Sequence, residues 1–71
     1  MSTATLSINF NGQPLSVPVG TTVAQLLELA EIRSRLVAVE VNLEILAHDM
    51  HVSHALQAGD TIEVVTLVGG G

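Results

Sequence analysis

Three glycines, Gly69, Gly70 and Gly71, close the sequence, and their type and position suit chemistry at a chain terminus. Glycine has no Cβ and loses the most conformational freedom on ordering, so a fold gains little from three of them in a row. A glycine strand is also thin enough to enter a narrow channel in a partner and to present the α-carboxylate of Gly71 there. The alternative is a frayed terminus without a role, since chain ends are commonly disordered.

The chemistry open to this carboxylate is activation by a nucleotide. An α-carboxylate has a pKa of roughly 3.5, so at neutral pH it is ionised and can attack an α-phosphate. The sequence contains no P-loop and no lysine, and its only strong cations are Arg33 and Arg35. It therefore lacks a phosphate clamp. We expect the chain to bind no cofactor itself and a partner enzyme to use the ATP.

Three histidines, His48, His51 and His54, form a second group that could do chemistry. Their spacing could bring His51 and His54 to one face of a helical turn. A zinc site needs three or four ligands, and this sequence offers no cysteine and no clear third ligand. We therefore predict no metal site and interpret the three as surface or turn histidines.

Size and charge exclude several classes of protein. A chain of 71 residues is one small domain, which buries only roughly 60% of its unfolded surface and has little room for a deep active site. The net charge of −5 disfavours nucleic-acid binding and suits a partner with a basic docking face. No apolar run approaches the ~20 residues of a membrane span, and the N-terminal segment lacks the features of a signal peptide. We expect a cytoplasmic chain, monomeric when free.

A β-hairpin is predicted at the start of the chain. Residues 5–10 and 14–19 alternate apolar and polar side chains, as half-buried strands do. Asn11-Gly12 lies between them and is a strong signal for a tight hairpin turn. Pro14 and Pro18 fall on alternate positions of the second strand, which indicates an edge strand whose missing N–H groups face outward.

A helix follows at about residues 22–32. Thr22 and Gln25 have the spacing of a capping box. The next apolar residues fall on one stripe, as in an amphipathic helix. The members of this stripe are Val23, Leu26, Leu27 and Ala30.

The remaining pattern predicts three more strands. They are 36–42, 44–47 and 61–67, with Glu40 of the first and Glu63 of the last pointing outward. A turn of 3₁₀- or α-helix is expected within 51–56, and a tight turn at 57–60. One amphipathic helix must bury its stripe on one face of a sheet. The predicted fold class is α+β, a ubiquitin-like β-grasp with a mixed four- to five-stranded sheet and one helix across one face. The domain would span 1–67, and 68–71 would form a flexible glycine tail.

A β-grasp chain of this length that ends in glycines resembles the sulfur-carrier family of thiamin (thiazole) biosynthesis. The matching segments are Asn11-Gly12, 22–27, 37–42, 59–63 and 69–71. The chain departs from the family pattern at Leu43, where a glycine is frequent, and at His48, where a basic residue is frequent.

The resemblance implies a carrier cycle and not an enzyme. An adenylyltransferase-type activating enzyme would use ATP to adenylate the Gly71 carboxylate. A sulfur donor, supplied through a cysteine desulfurase, would then displace AMP to leave a C-terminal thiocarboxylate. Thiazole synthase would accept that sulfur, with Gly69 and Gly70 threading the tail into each partner.

The last strand also suggests a docking face. Ile62 and Val64 should point inward, which leaves Val65 and Leu67 on the opposite face, with Val68 next to them. Exposed apolar side chains beside the tail are a candidate docking patch, although nearby loops could instead cover them.

Three other functions stay open. The small subunit of a molybdopterin synthase would use the same tail chemistry. A ubiquitin-like modifier would join lysines of other proteins through Gly71. A plain protein-interaction domain would have an inert tail.

Overall fold

The computed structural model describes residues 4–33 and 36–66, which form a mixed five-stranded sheet with one α-helix on one face. The strands lie in the order β2-β1-β5-β3-β4. β1 and β5 are parallel, and the other neighbours are antiparallel. This arrangement confirms the predicted β-grasp. The elements are β1 (Thr5–Phe10), β2 (Gln13–Pro18), α1 (Val23–Leu29), β3 (Val37–Val41), β4 (Glu44–Leu46), a 3₁₀ turn (His48–Met50) and β5 (Thr61–Thr66).

The first hairpin forms as predicted. Asn11 and Gly12 both have positive φ, 49° and 82°, as the two central residues of a type I′ turn require. Phe10 lies opposite Gln13, so the turn contains these two residues alone. β2 is an edge strand, as its two prolines indicated.

The capping box at the start of α1 is present. The Thr22 hydroxyl accepts the Gln25 N–H at 3.2 Å, and the Gln25 side chain accepts the Thr22 N–H at 2.9 Å. The first-turn N–H groups of Val23 and Ala24, which have no partner within the helix, donate to carbonyls of the loop 51–54. The helix therefore begins at Val23, one residue beyond the predicted start.

The predicted helix end was wrong by three residues, because α1 ends at Leu29 and not at residue 32. Glu31 adopts a left-handed conformation, with φ of 59°. Its N–H donates to the Glu28 carbonyl, and the Ile32 N–H donates to the Leu27 carbonyl. These two bonds make a Schellman motif, which stops the helix without the glycine that usually marks such an end.

The core lies between α1 and the sheet and is aliphatic. Its buried members are drawn from β1, β2, α1, β3, β5 and the loop before β5. They are Ile8, Val17, Val23, Leu26, Val39, Val41, Leu56 and Ile62. Phe10 is only half-buried at its margin.

The short helical turn predicted within 51–56 lies instead at His48–Met50. Residues 51–56 are held against the start of α1. The carbonyls of His51 and His54 accept the helix N–H groups of Ala24 and Val23, at 2.8 and 3.0 Å, and Ala55 forms an isolated bridge with Thr22. Tertiary contacts therefore decide the conformation of this segment. Within the described ranges no helix has the length and apolarity needed to cross a bilayer.

Candidate functional site

The strand that precedes the glycines, β5, occupies the middle of the sheet. It pairs with β3 at five positions, from Val41 opposite Ile62 to Val37 opposite Thr66. It pairs with β1 only at its first two residues. Among the described residues, the later part of β5 therefore has a strand partner on one side only. The predicted tail, residues 68–71, lies outside the described residues, and so does Leu67, the predicted end of the last strand.

Asn11 extends the support for β5 beyond the end of β1. Its N–H donates to the Ile62 carbonyl at 2.9 Å. Its side-chain oxygen accepts the Val64 N–H at 2.8 Å. Sequence reasoning assigned Asn11 to the hairpin turn and missed this second role, since the partner lies 53 positions away.

A polar network around the buried Asp60 fixes the start of β5. The Asn42 amide donates to one carboxylate oxygen of Asp60 at 3.0 Å, and the Gln57 N–H donates to the other at 2.8 Å. The Asn42 side-chain oxygen in turn accepts the Thr61 N–H at 2.9 Å. Gly59, with φ of 85°, completes the turn that the sequence predicted. Asn42 was missed, although an Asn between two strand patterns is a recognisable turn residue.

The outward residues of β5 lie where the alternation predicted. Ile62 is fully buried and Val64 is half-buried against the core, whereas Val65 is 53% exposed on the opposite face. Val65 lies opposite Ala38 of β3. An exposed valine next to the tail fits the predicted docking patch, and docking itself stays a prediction.

The same face carries two acids. Glu63 of β5 lies directly opposite Glu40 of β3, and neither forms an ion pair with any residue in 4–33 or 36–66. Sequence reasoning placed both side chains outward but could not place them together, because strand register is not a local property.

The histidines do not share one environment. His51 is buried, its ring lies 5.0 Å from that of His48, and its Nε2 has no hydrogen-bond partner. Burial lowers the pKa of His51, and neighbouring His48 lowers it further, against a hydrogen bond with the Leu46 backbone that raises it. Of the two interpretations, surface or turn histidine, His51 fits the second: it lies in a turn, but its side chain is buried and not at the surface. The described part of the chain has no group of three His, Cys, Asp or Glu side chains placed to hold a metal ion.

The described surface also has a hollow of about 590 Å³ between the end of β2 and α1. Glu28 is the one charged residue in its lining, next to apolar residues that include Val19 and Leu29. Phosphate recognition needs cations or clustered N–H donors, so this hollow does not suit a nucleotide.

A β-grasp sheet whose central strand leads to terminal glycines defines a small ubiquitin-like domain. The ThiS family model matches residues 8–71. The sulfur carrier protein ThiS of Escherichia coli (strain K12) is 32% identical over 66 residues, which cover 93% of this chain and 100% of that protein. The crystal structure of the thiamine biosynthesis protein ThiS from Geobacter metallireducens superposes with a TM-score of 0.81 at 28% identity, over 93% of this chain and 100% of that one. The chain belongs to the ThiS family.

One relative is a much longer protein. The thiazole synthase of Paramagnetospirillum magneticum is 36% identical over 66 residues, and these cover 93% of this chain. The chain spans only 20% of the length of that protein. A segment similar to the whole domain described here is therefore part of a thiazole synthase chain.

Proposed function

We propose that this chain carries sulfur as a thiocarboxylate on Gly71 for thiazole formation in thiamin biosynthesis. The observation that carries the proposal is the family match, which runs through the glycines to residue 71. The similarity to a sulfur carrier over that protein's full length supports it. The similarity to part of a thiazole synthase supports thiazole formation as the destination of the sulfur.

The chemistry divides between this chain and its partners. An adenylyltransferase-type enzyme brings ATP, and an oxygen of the Gly71 carboxylate attacks the α-phosphorus while pyrophosphate leaves. A persulfide loaded by a cysteine desulfurase then attacks the acyl carbon, and AMP leaves. A thiol cleaves the resulting acyl disulfide, which forms a disulfide with the cysteine that carried the persulfide and releases the Gly71 thiocarboxylate. The chain contributes the carboxylate and the surface that holds it in place, and is a co-substrate rather than an enzyme.

The sheet supplies a fixed base for this delivery. The network of Asn42 and Asp60 fixes the start of β5, and pairing with β3 continues to Thr66. Five residues follow Thr66 in the sequence, and when extended they could span roughly 17 Å at ~3.4 Å per residue. That length suffices to bring Gly71 from the sheet into a partner's active site, with Gly69 and Gly70 in the narrow part.

Ordering the tail costs about 1–2 kcal/mol per residue, which docking of the folded domain must offset. We assign this docking to Val65 together with Leu67 and Val68. Val65 is exposed next to the tail, where a partner that holds the tail can cover it.

The test is reconstitution with the activating enzyme, ATP and a sulfur donor. We expect the wild-type chain to release pyrophosphate and to gain sulfur on its C-terminal peptide. A variant without Gly71 should do neither, and Glu31→Gln, a change remote from the tail in sequence, should behave as wild type. Sulfur uptake by the variant without Gly71 would contradict the proposal, and a thiol-stable conjugate with other proteins would favour a modifier.

A further inference from the structure

Two hollows on the helix side of the molecule form one groove between the edge strand β2 and α1. The first, of about 590 Å³, lies beside Val19, and the second, of about 400 Å³, lies beside Leu15 and Val17. Leu29 of α1 lines both hollows, so they are adjacent, and Glu28 lines the first. We call the site formed by these five residues the β2–α1 groove.

The apolar side chains of the groove contribute little to the core. Val23 and Leu26 form the buried stripe of α1, and Leu29 lies beside that stripe, where it is 63% exposed. Val19 is 60% exposed and Leu15 is 36% exposed. One exposed leucine is common on a protein surface, but apolar side chains gathered in a concave site indicate a binding surface.

Strand β2 presents few backbone groups to a partner. The Asn9 N–H of β1 donates to the Asp60 carbonyl on the β5 side, so Pro14, which lies opposite Asn9, directs its backbone away from β1. Ser16 and Pro18, at alternate positions, do the same. Because proline has no N–H, Ser16 supplies the single outward N–H of β2, which the structure describes in full. An added strand would find one donor there, whereas a helix satisfies its own backbone hydrogen bonds.

Length and charge define the ligand further. From Leu15 to Val19 the groove measures roughly 13 Å at ~3.3 Å per strand residue, which matches about two and a half turns of helix. Among the described residues that line it, Glu28 is the only charged one, and the chain has a net charge of −5, so a basic ligand is complementary. A second copy of this chain fits less well, because a two-fold contact would bring two Glu28 carboxylates together.

We propose that the β2–α1 groove binds a short amphipathic helix of the cysteine desulfurase, with an arginine or lysine of that helix paired to Glu28. The inference rests on the proposed function and specifies where the sulfur donor docks. Apolar side chains of the helix at positions i, i+3 or i+4, and i+7 would enter the two hollows on either side of Leu29.

The position of the groove favours the sulfur donor over the activating enzyme. β2 is an outer strand that β1 separates from β5, and Val17 in the groove belongs to the core under α1. The surface assigned above to the activating enzyme, around Val65, lies on the opposite side of the sheet. The adenylate on Gly71 and the persulfide must meet in one complex, so the two enzymes need separate surfaces on this chain.

The first experiment titrates the host's cysteine desulfurase with this chain by calorimetry. Leu29→Gln should weaken binding roughly tenfold, whereas Val52→Gln, at a valine that is 72% exposed outside the groove, should weaken it about twofold or less. Glu28→Lys should weaken binding roughly fivefold or more. Glu44→Lys has the same change in net charge on the other edge strand and should cost about twofold or less. All four side chains are exposed, so the variants should melt close to wild type.

Two further measurements test the mode and the place of docking. Hydrogen exchange at the Ser16 N–H should stay as fast in the complex as in the free chain, because a helix leaves this donor to solvent. Strong protection of Ser16 would show strand addition and overturn the helical ligand. The affinity for the desulfurase should not change when the activating enzyme is already bound, and competition between the two enzymes would overturn the inference.

Free sulfide separates this inference from the carrier function. Sulfide attacks the acyl carbon of the adenylate, AMP leaves and the thiocarboxylate forms without a desulfurase. Leu29→Gln should therefore gain sulfur like the wild type from sulfide, but more slowly from the desulfurase.

No binding of the desulfurase to the wild type, or equal affinity of the wild type, Leu29→Gln and Glu28→Lys, would overturn the inference. Sulfur uptake by the wild type from sulfide would then leave the carrier function intact. Conversely, a selective loss of affinity in Leu29→Gln and Glu28→Lys, without sulfur uptake by the wild type from either source, would support the groove and reject the carrier function.

Discussion

The two ends of β5 differ in how the fold holds them. The first end, around Asp60 and Ile62, is buried, has a strand on each side and is fixed by side-chain hydrogen bonds. The second end, around Glu63 and Val65, has exposed side chains and pairs with β3. The first end of β5 therefore anchors the strand and contributes most to stability. The second end exposes a surface, which we assign to partner binding.

Truncating one apolar side chain at each end of β5 tests this difference most directly. Ile62→Ala should lower the free energy of unfolding by about 2–5 kcal/mol, since it opens a cavity in a fully buried position. Val65→Ala should change it by about 0.5 kcal/mol or less, because the side chain is 53% exposed, yet should weaken binding to the activating enzyme. Chemical denaturation measures both variants. Similar losses of stability would mean that the two ends are not distinct.

Changes to the polar network around Asp60 should have the next largest effect on the free energy of unfolding. Asp60→Ala removes both acceptors and leaves the Asn42 amide and the Gln57 N–H without partners. We expect a loss of about 1–3 kcal/mol, measured by denaturation. Asp60→Asn keeps one acceptor and should recover part of that loss. If Asp60→Asn were as unstable as Asp60→Ala, the carboxylate charge would matter more than the hydrogen bonds.

Acid should lower the stability of the fold through His51, which lies in the loop that caps α1. The pKa of His51 is lowered from its ordinary value of 6.5, mainly by burial, so folding favours the neutral ring. This contribution to stability is fully present above pH 6.5 and is lost as the pH falls through the lower folded pKa. Thermal melts of the wild type should therefore show a decline below pH 6.5 that is smaller in His51→Gln. His54→Gln is the matched control and should retain the decline; an unchanged profile in His51→Gln would contradict the assignment.

The turn next to Asn42 carries strain that a glycine should relieve. Leu43 is exposed and has φ of 70°, a conformation that costs most L-residues roughly 1–2 kcal/mol. Glycine offsets part of that gain through its greater freedom in the unfolded chain. Leu43→Gly should therefore raise stability by up to about 1 kcal/mol, measured by denaturation. A loss of stability would mean that the Leu43 side chain makes a contact that outweighs the strain.

A change at the exposed end of β5 should have the smallest effect on the stability of the free chain. Glu63→Gln removes one of two like charges that lie opposite each other. The variant should gain a few tenths of a kcal/mol at low ionic strength, and added salt should remove the difference. Precise melting curves at two salt concentrations measure this. A loss of stability would show that Glu63 has a stabilising partner in the fold.

Local patterns predicted most of the fold. The Asn11-Gly12 turn, the Thr22 capping box and the alternation around Val65 depend on neighbouring residues, and the structure reproduces each. The helix end was wrong because Glu31 takes a conformation that glycine usually supplies. The burial of His51 was missed because its cause is a contact with α1.

The features of the candidate site were likewise only partly predictable from the sequence. The alternation of side chains along each strand predicted that Glu40, Glu63 and Val65 point outward. Their alignment across strands depends on register, and the contacts Asn42–Asp60 and Asn11–Val64 join residues 18 and 53 positions apart. No local pattern contains such information, so the support of β5 became visible only in three dimensions.

The central claim is that Gly71 carries sulfur, and the most direct test is the intact mass of the protein purified from its native host. The account predicts a fraction of chains that end at Gly71 with one oxygen replaced by sulfur, located by fragmentation in the C-terminal peptide. An unmodified terminus in cells with an active activating enzyme and sulfur donor would contradict it, as would a chain that continues beyond Gly71.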